Sequence, residues 1–333
     1  MKHIIYLLIT FMLMACGSGN SKRSSDPHLK NIKSLPPSPE NCITSVEGIN
    51  TQALTSSKCS WFSEYQLFSG NPADTSKANN GVLPYYLNSS LFTDFSGKSR
   101  YIVFPDNAHA QYHETNAFTF PSGTAIIKIF SLPNQYDLSQ DIIEIRLMIK
   151  KETGWVFYPY TWHPESQDAY YNRSGMNLEK SINIQGLDTL FTYSIPSSGE
   201  CGTCHQKSQR NIPIGPKARN LNTIIQYNGQ DINQLALWKN MGWISGLPPD
   251  LTSIDTMPNW QDNSKPITNR AKAYLDINCA HCHSDGGAGD LSGLSLEYWR
   301  KNIDGSHGLC NPAHGWRGGG YDIWPGEGDI SSI

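Results

Sequence analysis

The sequence predicts an α+β protein, an antiparallel β-rich N-terminal domain followed by a mainly helical region. Three observations predict it. Ile143, Ile145, Leu147 and Ile149 alternate with Glu144, Arg146, Met148 and Lys150, the two-residue period of a strand with one buried face. Short β-prone runs between residues 61 and 196 are punctuated by Pro105, Pro121, Pro133 and Pro196, as in a sandwich or barrel. Beyond Pro196 the alternation gives way to helical spacing.

Taken in chain order, Lys2 and His3 precede an apolar run from Ile4 to Met14 that is too short to span a bilayer and fits a signal-peptide core. It ends in Leu13-Met14-Ala15-Cys16, which resembles the bacterial lipoprotein box. That resemblance implies cleavage after residue 15 and a lipid anchor on Cys16, with residues 1–16 as the signal and its lipidated cysteine. An ordinary secretory signal is the alternative, and both readings export the chain. Gly17 after the cysteine, rather than an aspartate, resembles lipoproteins sent on to the outer membrane, which that resemblance makes the expected location. Residues 17–60 read as a tether, rich in Ser, Asn, Lys and Pro as far as Asn41.

Residues 61–196 form the β-rich domain. Its strands are expected at Tyr101 to Phe104, Ala117 to Phe120, Thr124 to Phe130, Ile143 to Lys150 and Phe191 to Ile195. Lys151-Glu152-Thr153-Gly154 turns the fourth of these into the aromatic run Trp155 to Trp162. Trp155, Tyr158, Tyr160, Trp162 and His163 read as a core and its rim rather than as a ligand platform. In residues 197–265 a short helix starts at Asp231, with Gln234 in capping-box position, and stops at Gly242. In residues 266–333 a helix capped by Thr268 or Asn269 places Ala271, Tyr274 and Leu275 on one face and runs into Cys279.

Two motifs carry the chemistry: Cys201-Gly202-Thr203-Cys204-His205 and Cys279-Ala280-His281-Cys282-His283. Each reads as a covalent haem c site, in which two thiols one turn apart bond the porphyrin and the histidine ligates iron. With 8 Cys and 10 His in 333 residues, chance supplies about 0.006 such patterns per chain, so coincidence is excluded. A zinc site joining the pairs would need far less than the 74 residues between Cys204 and Cys279. A thioredoxin-type couple at Cys201 and Cys204 lacks the strand-then-helix context and is followed directly by histidine. Two covalently attached haem c groups, each with its iron, are therefore expected.

For the first iron, Met241 and Met257 are the candidate distal ligands, and Met257, next to Pro258 in a loop, is preferred. No methionine follows Cys279, which leaves His307, His314, an upstream methionine, water or a residue beyond this chain for the second iron. Once Cys16 and the four motif cysteines are set aside, Cys42 and Cys59 suit a disulfide in an oxidising compartment, and Cys310 is left over. The end of the chain, Trp324 to Ile333, resembles a stretch that many bacterial cytochrome c domains continue into a ligand-bearing Arg-Met pair. A C-terminally truncated second domain is thus expected, which would also account for the unpaired Cys310.

The phrases Leu91-Phe92-Thr93-Asp94, Phe120-Pro121-Ser122-Gly123-Thr124, Gly154-Trp155 and Tyr274-Leu275-Asp276-Ile277-Asn278, with both haem motifs, resemble a largely uncharacterised family of bacterial diheme c-type cytochrome lipoproteins. The resemblance runs from residue 61 to the end and implies a cytochrome c-like haem region, electron transfer at the cell envelope, and redox proteins of the envelope as partners. The expected location is a periplasm-facing membrane. A diheme peroxidase-like oxidoreductase with one open iron is the alternative, as is a β ligand-binding module with haems as a relay. The formal net charge of -3 and the lack of a basic run exclude nucleic acid as a partner class.

Overall fold

The computed structural model describes residues 35–93, 95–133, 140–184, 187–302 and 304–308. Cys16, the start of the tether, Cys310, His314 and the C-terminal stretch lie outside them. Contacts divide the chain into Met1–Pro36 and Pro37–Ile333, and everything below concerns the second unit.

Two small helices come first, α1 (Glu40–Ile43) and α2 (Thr51–Ser56), and the expected disulfide ties Cys42 of α1 to Cys59, three residues after α2. Composition assigns residues 17–60 to a tether, yet Cys42, Ala53, Leu54 and Cys59 are all buried. The apolar residues are few but spaced to share one interior, which composition averages away.

The centre of the fold is a six-stranded antiparallel sheet, so the antiparallel β-rich character holds. Its strands in chain order are β1 (Val82–Pro84), β2 (Gly97–Val103), β4 (Ala125–Pro133), β5 (Gln140–Lys151), β6 (Gly154–His163) and β7 (Asp168–Tyr171). Each pairs with the next, while β3 (Ala110–Gln111) lies outside this sheet. The expected hairpin is present with Lys151 opposite Gly154, whose φ of 132° suits only glycine. Ala117 to Phe120 form isolated bridges rather than a strand, because Thr119 pairs with Gln111 while Ala117 pairs with Lys217. Phe118 and Phe120 are both buried, so the alternation there reports packing and not a ladder.

Alternation decides the two faces of the sheet. Tyr101, Ile127, Ile129, Ile145, Leu147 and Tyr160 pack with α1, α2 and the disulfide. Ile102, Ile126, Met148 and Trp155 pack on the other side with residues from 218 to 254. The strand at Ile143 to Lys150 therefore has both faces covered, and Glu144 and Met148, read as its open side, are buried. Trp155 and Tyr160 are core residues on opposite faces, as a core-and-rim reading requires. A separate hairpin, β8 (Met176–Ile184) and β9 (Leu187–Ile195), packs Ile182, Tyr193 and Ile195 on Phe130, Leu132 and Ile143.

After Ile195 come α3 (Ser198–His205), the hairpin β10 (Gln206–Lys207) with β11 (Arg210–Asn211), and α4 (Ala218–Leu221). They are followed by the hairpin β12 (Ile224–Tyr227) with β13 (Gln230–Asn233), α5 (Gln234–Asn240), β14 (Ile244–Ser245) and α6 (Ile267–Asn278). β14 pairs with β3 in parallel. The cap of α5 is Asn233, whose Oδ1 accepts from Leu235 N at 2.9 Å and Ala236 N at 3.1 Å, since Asp231 is committed to a strand. α6 begins just after Pro266 with no side-chain cap, and buries Ala273, Asp276 and Ile277 rather than Ala271 and Tyr274. Asp276 is drawn inward by Lys217 and Arg219, which turns that face to the protein.

Candidate functional site

The first motif is itself a helix. Ser197 Oγ accepts from Glu200 N at 3.2 Å, and the Glu200 carboxylate accepts from Ser197 N at 2.7 Å, a capping box that starts α3 directly after β9. Cys201 and Cys204, three residues apart, then share one side of the helix and line a cavity with His205. The cavity measures about 1060 Å³ including its open mouth. The sheet supplies one wall through Ile126, Lys128, Met148 and Phe157, while Pro213, Ile214 and Ile277 close other sides. The lining is mainly apolar, with the two cysteines and His205 on one side and the sheet on another.

The His205 ring is held neutral in one tautomer. Its Nδ1 lies 2.7 Å from the carbonyl oxygen of Ile212, which can only accept, so Nδ1 carries the proton and Nε2 keeps its lone pair. Burial, reinforced by Lys128, pushes the imidazole down to about 3, so the ring stays neutral. Phe157 holds it from the side, with ring centroids 4.8 Å apart.

The second motif repeats the logic with other partners. His283 Nδ1 is 2.9 Å from Ser292 Oγ, whose hydroxyl donates to Gly289 O at 2.6 Å. The serine oxygen therefore accepts from Nδ1–H, and Nε2 is again free. The loop passes so close that a Cβ on Gly289 would stand 3.0 Å from the His283 ring. His281 has a buried Nδ1 with no hydrogen-bond partner among the described residues.

The fold brings the motifs against each other. Between β10 and β11, Ser208 and Gln209 both have positive φ, 48° and 60°, in a two-residue turn that points the chain at the second motif. Ser208 N donates to Gly286 O at 2.7 Å, and Lys207 Nζ donates to Ser284 Oγ at 3.0 Å. From the far side, Asp276 at the end of α6 accepts from Lys217 at 2.7 Å and Arg219 at 2.5 Å. Burial alone would raise that carboxyl, but the two cations outweigh it and hold it at about 2.

The rival chemistries fare poorly. Burial raises the Cys201, Cys279 and Cys282 thiols above the ordinary cysteine value, opposite to the lowered value of a redox-active pair. Among the described residues, the group arranged as metal ligands is Cys42, Cys59 and Glu64, and its two sulfurs are bonded to each other.

Some distal positions differ from expectation. Met241 ends α5 and packs in the core beside it, and Met257 is fully buried with its N–H on Arg219 O, so neither lines the cavity of His205. The thioether that does is Met148. His307 faces Asp304, 3.6 Å away, within its own turn. Lys128 is a residue that motif reading passed over, although a lysine inside Ala125-Ile126-Ile127-Lys128-Ile129-Phe130 was a visible anomaly. Burial, with Arg100 and Arg146 beside it, pushes its ammonium down to about 7. Compared with protein families, curated proteins and solved structures, the chain matches none.

Proposed function

We propose that this chain is an exported diheme c-type cytochrome that passes electrons at the cell envelope through two covalently attached haem c groups. One is bonded to Cys201 and Cys204 with His205 as iron ligand, the other to Cys279 and Cys282 with His283. The observation that carries the proposal is the matched preparation of the two histidines: each has Nδ1 tied to an acceptor and Nε2 left free, beside two unbridged cysteines. Bound iron would supply one-electron chemistry at both places. The chain's own residues orient each imidazole, through Ile212 O and Ser292 Oγ, and tie the loops that follow the two motifs together through Ser208 and Gly286.

On this reading residues 197–265 and 266–333 are the haem segments, with a cytochrome c-like character in the latter, and the β sheet is the support of the first haem. The lipid anchor at Cys16, the outer-membrane location, the redox partners of the envelope and membership of the diheme lipoprotein family belong to the same proposal. The test is a count of covalent haem by pyridine haemochrome spectra and intact mass on protein made with the cytochrome c maturation machinery. Two haems per chain are expected in the parent, and one each in Cys201→Ala/Cys204→Ala and Cys279→Ala/Cys282→Ala. A parent chain carrying none would overturn the proposal.

A peroxidase-like reading is favoured by one observation, that neither Met241 nor Met257 reaches the cavity of His205. Electron paramagnetic resonance separates the two. A pair of low-spin ferric centres supports the carrier, whereas a high-spin centre supports an open iron.

A further inference from the structure

Strand register lines up three cations on the cavity wall. Arg100 in β2 stands opposite Lys128 in β4, which stands opposite Arg146 in β5. All three line the cavity. Like charges directly opposite one another destabilise a sheet, and removal from bulk water adds to the cost. The carboxylate on this face that answers them is Glu144, and it is fully occupied. It accepts from Arg146 Nε at 2.8 Å and from the Tyr193 hydroxyl at 2.6 Å. Arg100 and Lys128 form no side-chain hydrogen bond or salt bridge with another described residue. Arg100 and Lys128 thus line the cavity with no ion pair among the described residues, while the carboxylate that lines it, Glu200, is engaged by Ser197 at the cap of α3.

The neighbouring row on the same wall is apolar: Ile102, Ile126, Met148 and Phe157 stand opposite one another from β2 to β6. α3, which carries Cys201 and Cys204, packs over β6. With strands about 4.8 Å apart, Lys128 lies roughly two strand spacings from that edge and Arg100 roughly three. An occupant attached at α3 and lying along the apolar row therefore meets the two unanswered cations at its far end. The porphyrin of haem c has that build, with two propionate carboxylates on the edge remote from its thioethers.

We propose that Arg100 and Lys128 bind the propionate edge of the haem attached at Cys201 and Cys204, so that this porphyrin spans the sheet from β6 to β2. The proposal rests on the haem reading given above. Charge-assisted pairs of this kind are short and directional, which fixes the ring in its plane as well as neutralising the row.

The experiment uses the full-length diheme protein and Arg100→Gln, Lys128→Gln and Lys128→Arg variants. Haem content, the two midpoint potentials from a spectroelectrochemical titration, and the propionate bending bands in resonance Raman spectra are measured. The glutamine variants are expected to keep both haems, to lower one midpoint potential and leave the other in place, and to shift the propionate band; Lys128→Arg should keep the parental potential. Two attached haems with unchanged potentials and bands would overturn the proposal and leave the haem reading standing. Absence of haem from Cys201 and Cys204 in the parent would instead overturn the haem reading. If the glutamine variants give no folded protein, Arg100→Lys and Lys128→Arg keep the charge and move the donors, and an unmoved Raman band in both overturns the proposal. Sodium formate tests a free anion. A formate-dependent Soret change in the parent that is lost in the glutamine variants would assign the row to a diffusible carboxylate, against the propionates.

Discussion

Among single residues, Asp276 shows best how charge holds the two motifs together. It sits three positions before Cys279 and is fully buried, with Lys217 13 % and Arg219 1 % exposed around it. Its carboxyl is held at about 2, below the ordinary value near 3.9, so the folded state binds fewer protons than the unfolded one. The resulting stabilisation is complete above about pH 4 and is lost as pH falls toward 2, with a size on the order of 2 kcal/mol. Urea midpoints measured from pH 6 to pH 2 should show that loss in the parent and a flatter acid limb in Asp276→Asn. The same substitution should cost about 3–5 kcal/mol at neutral pH, because two cations are left buried with a neutral partner. An Asp276→Asn protein with parental stability would mean that the ion pairs are replaced by solvent contacts. The residue was visible in the sequence within the lead-in to Cys279, but its role was not, since Lys217 and Arg219 are nearly sixty positions away.

At the level of elements, local signals lie in contiguous sequence, whereas pairings across the chain do not. The β5–β6 hairpin is legible because its turn and both strands are contiguous, whereas α3 follows a strand and Pro196 so closely that its capping box in Ser197 and Glu200 emerges only in the structure. The hairpin of β10 and β11 is not legible either, because Ser208 and Gln209 are unusual residues for positive φ and are held there by what they touch. That contact is Gly286, with φ 76°, where an added Cβ would stand 2.3 Å from Ser208 Oγ. Gly286→Ala is therefore expected to lose about 1–2 kcal/mol from backbone strain and to loosen the junction between the motifs. Thermal unfolding reads the first effect. On the proposed diheme reading, stopped-flow reduction reads the second, as a slower equilibration between the two haems while each keeps its own potential. A variant that unfolds earlier but equilibrates as fast as the parent would show that the junction does not set the distance between the haems.

Across Pro37–Ile333, the sequence divides more finely than the packing does. Composition and motif positions separate residues 61–196 from 197–265, yet Leu221, Leu235 and Trp238 share one core with Ile102, Ile126 and Met148 of the sheet. The reason is the second buried face: a sheet covered on both sides joins whatever packs on either of them. Periodicity identifies that a strand is buried but not which distant segment covers it, so this partnership could not be read in advance. It does make unfolding predictable. The Cys42–Cys59 bridge closes a loop with a sequence separation of 17 on one face, and the cavity of His205 lies on the other. Removing the bridge through Cys42→Ser/Cys59→Ser should cost about 3 kcal/mol, chiefly by freeing the unfolded chain. Because both cores share β2, β4, β5 and β6, the loss should reach the cavity as well. If the chain carries haem as proposed, far-ultraviolet circular dichroism and Soret absorbance should therefore share one midpoint in guanidinium titrations, and both should move together in the serine variant. If only the dichroism moved, the cavity would be supported by the segment after Ile195 alone, and the sheet would be a neighbour of the first motif rather than its wall.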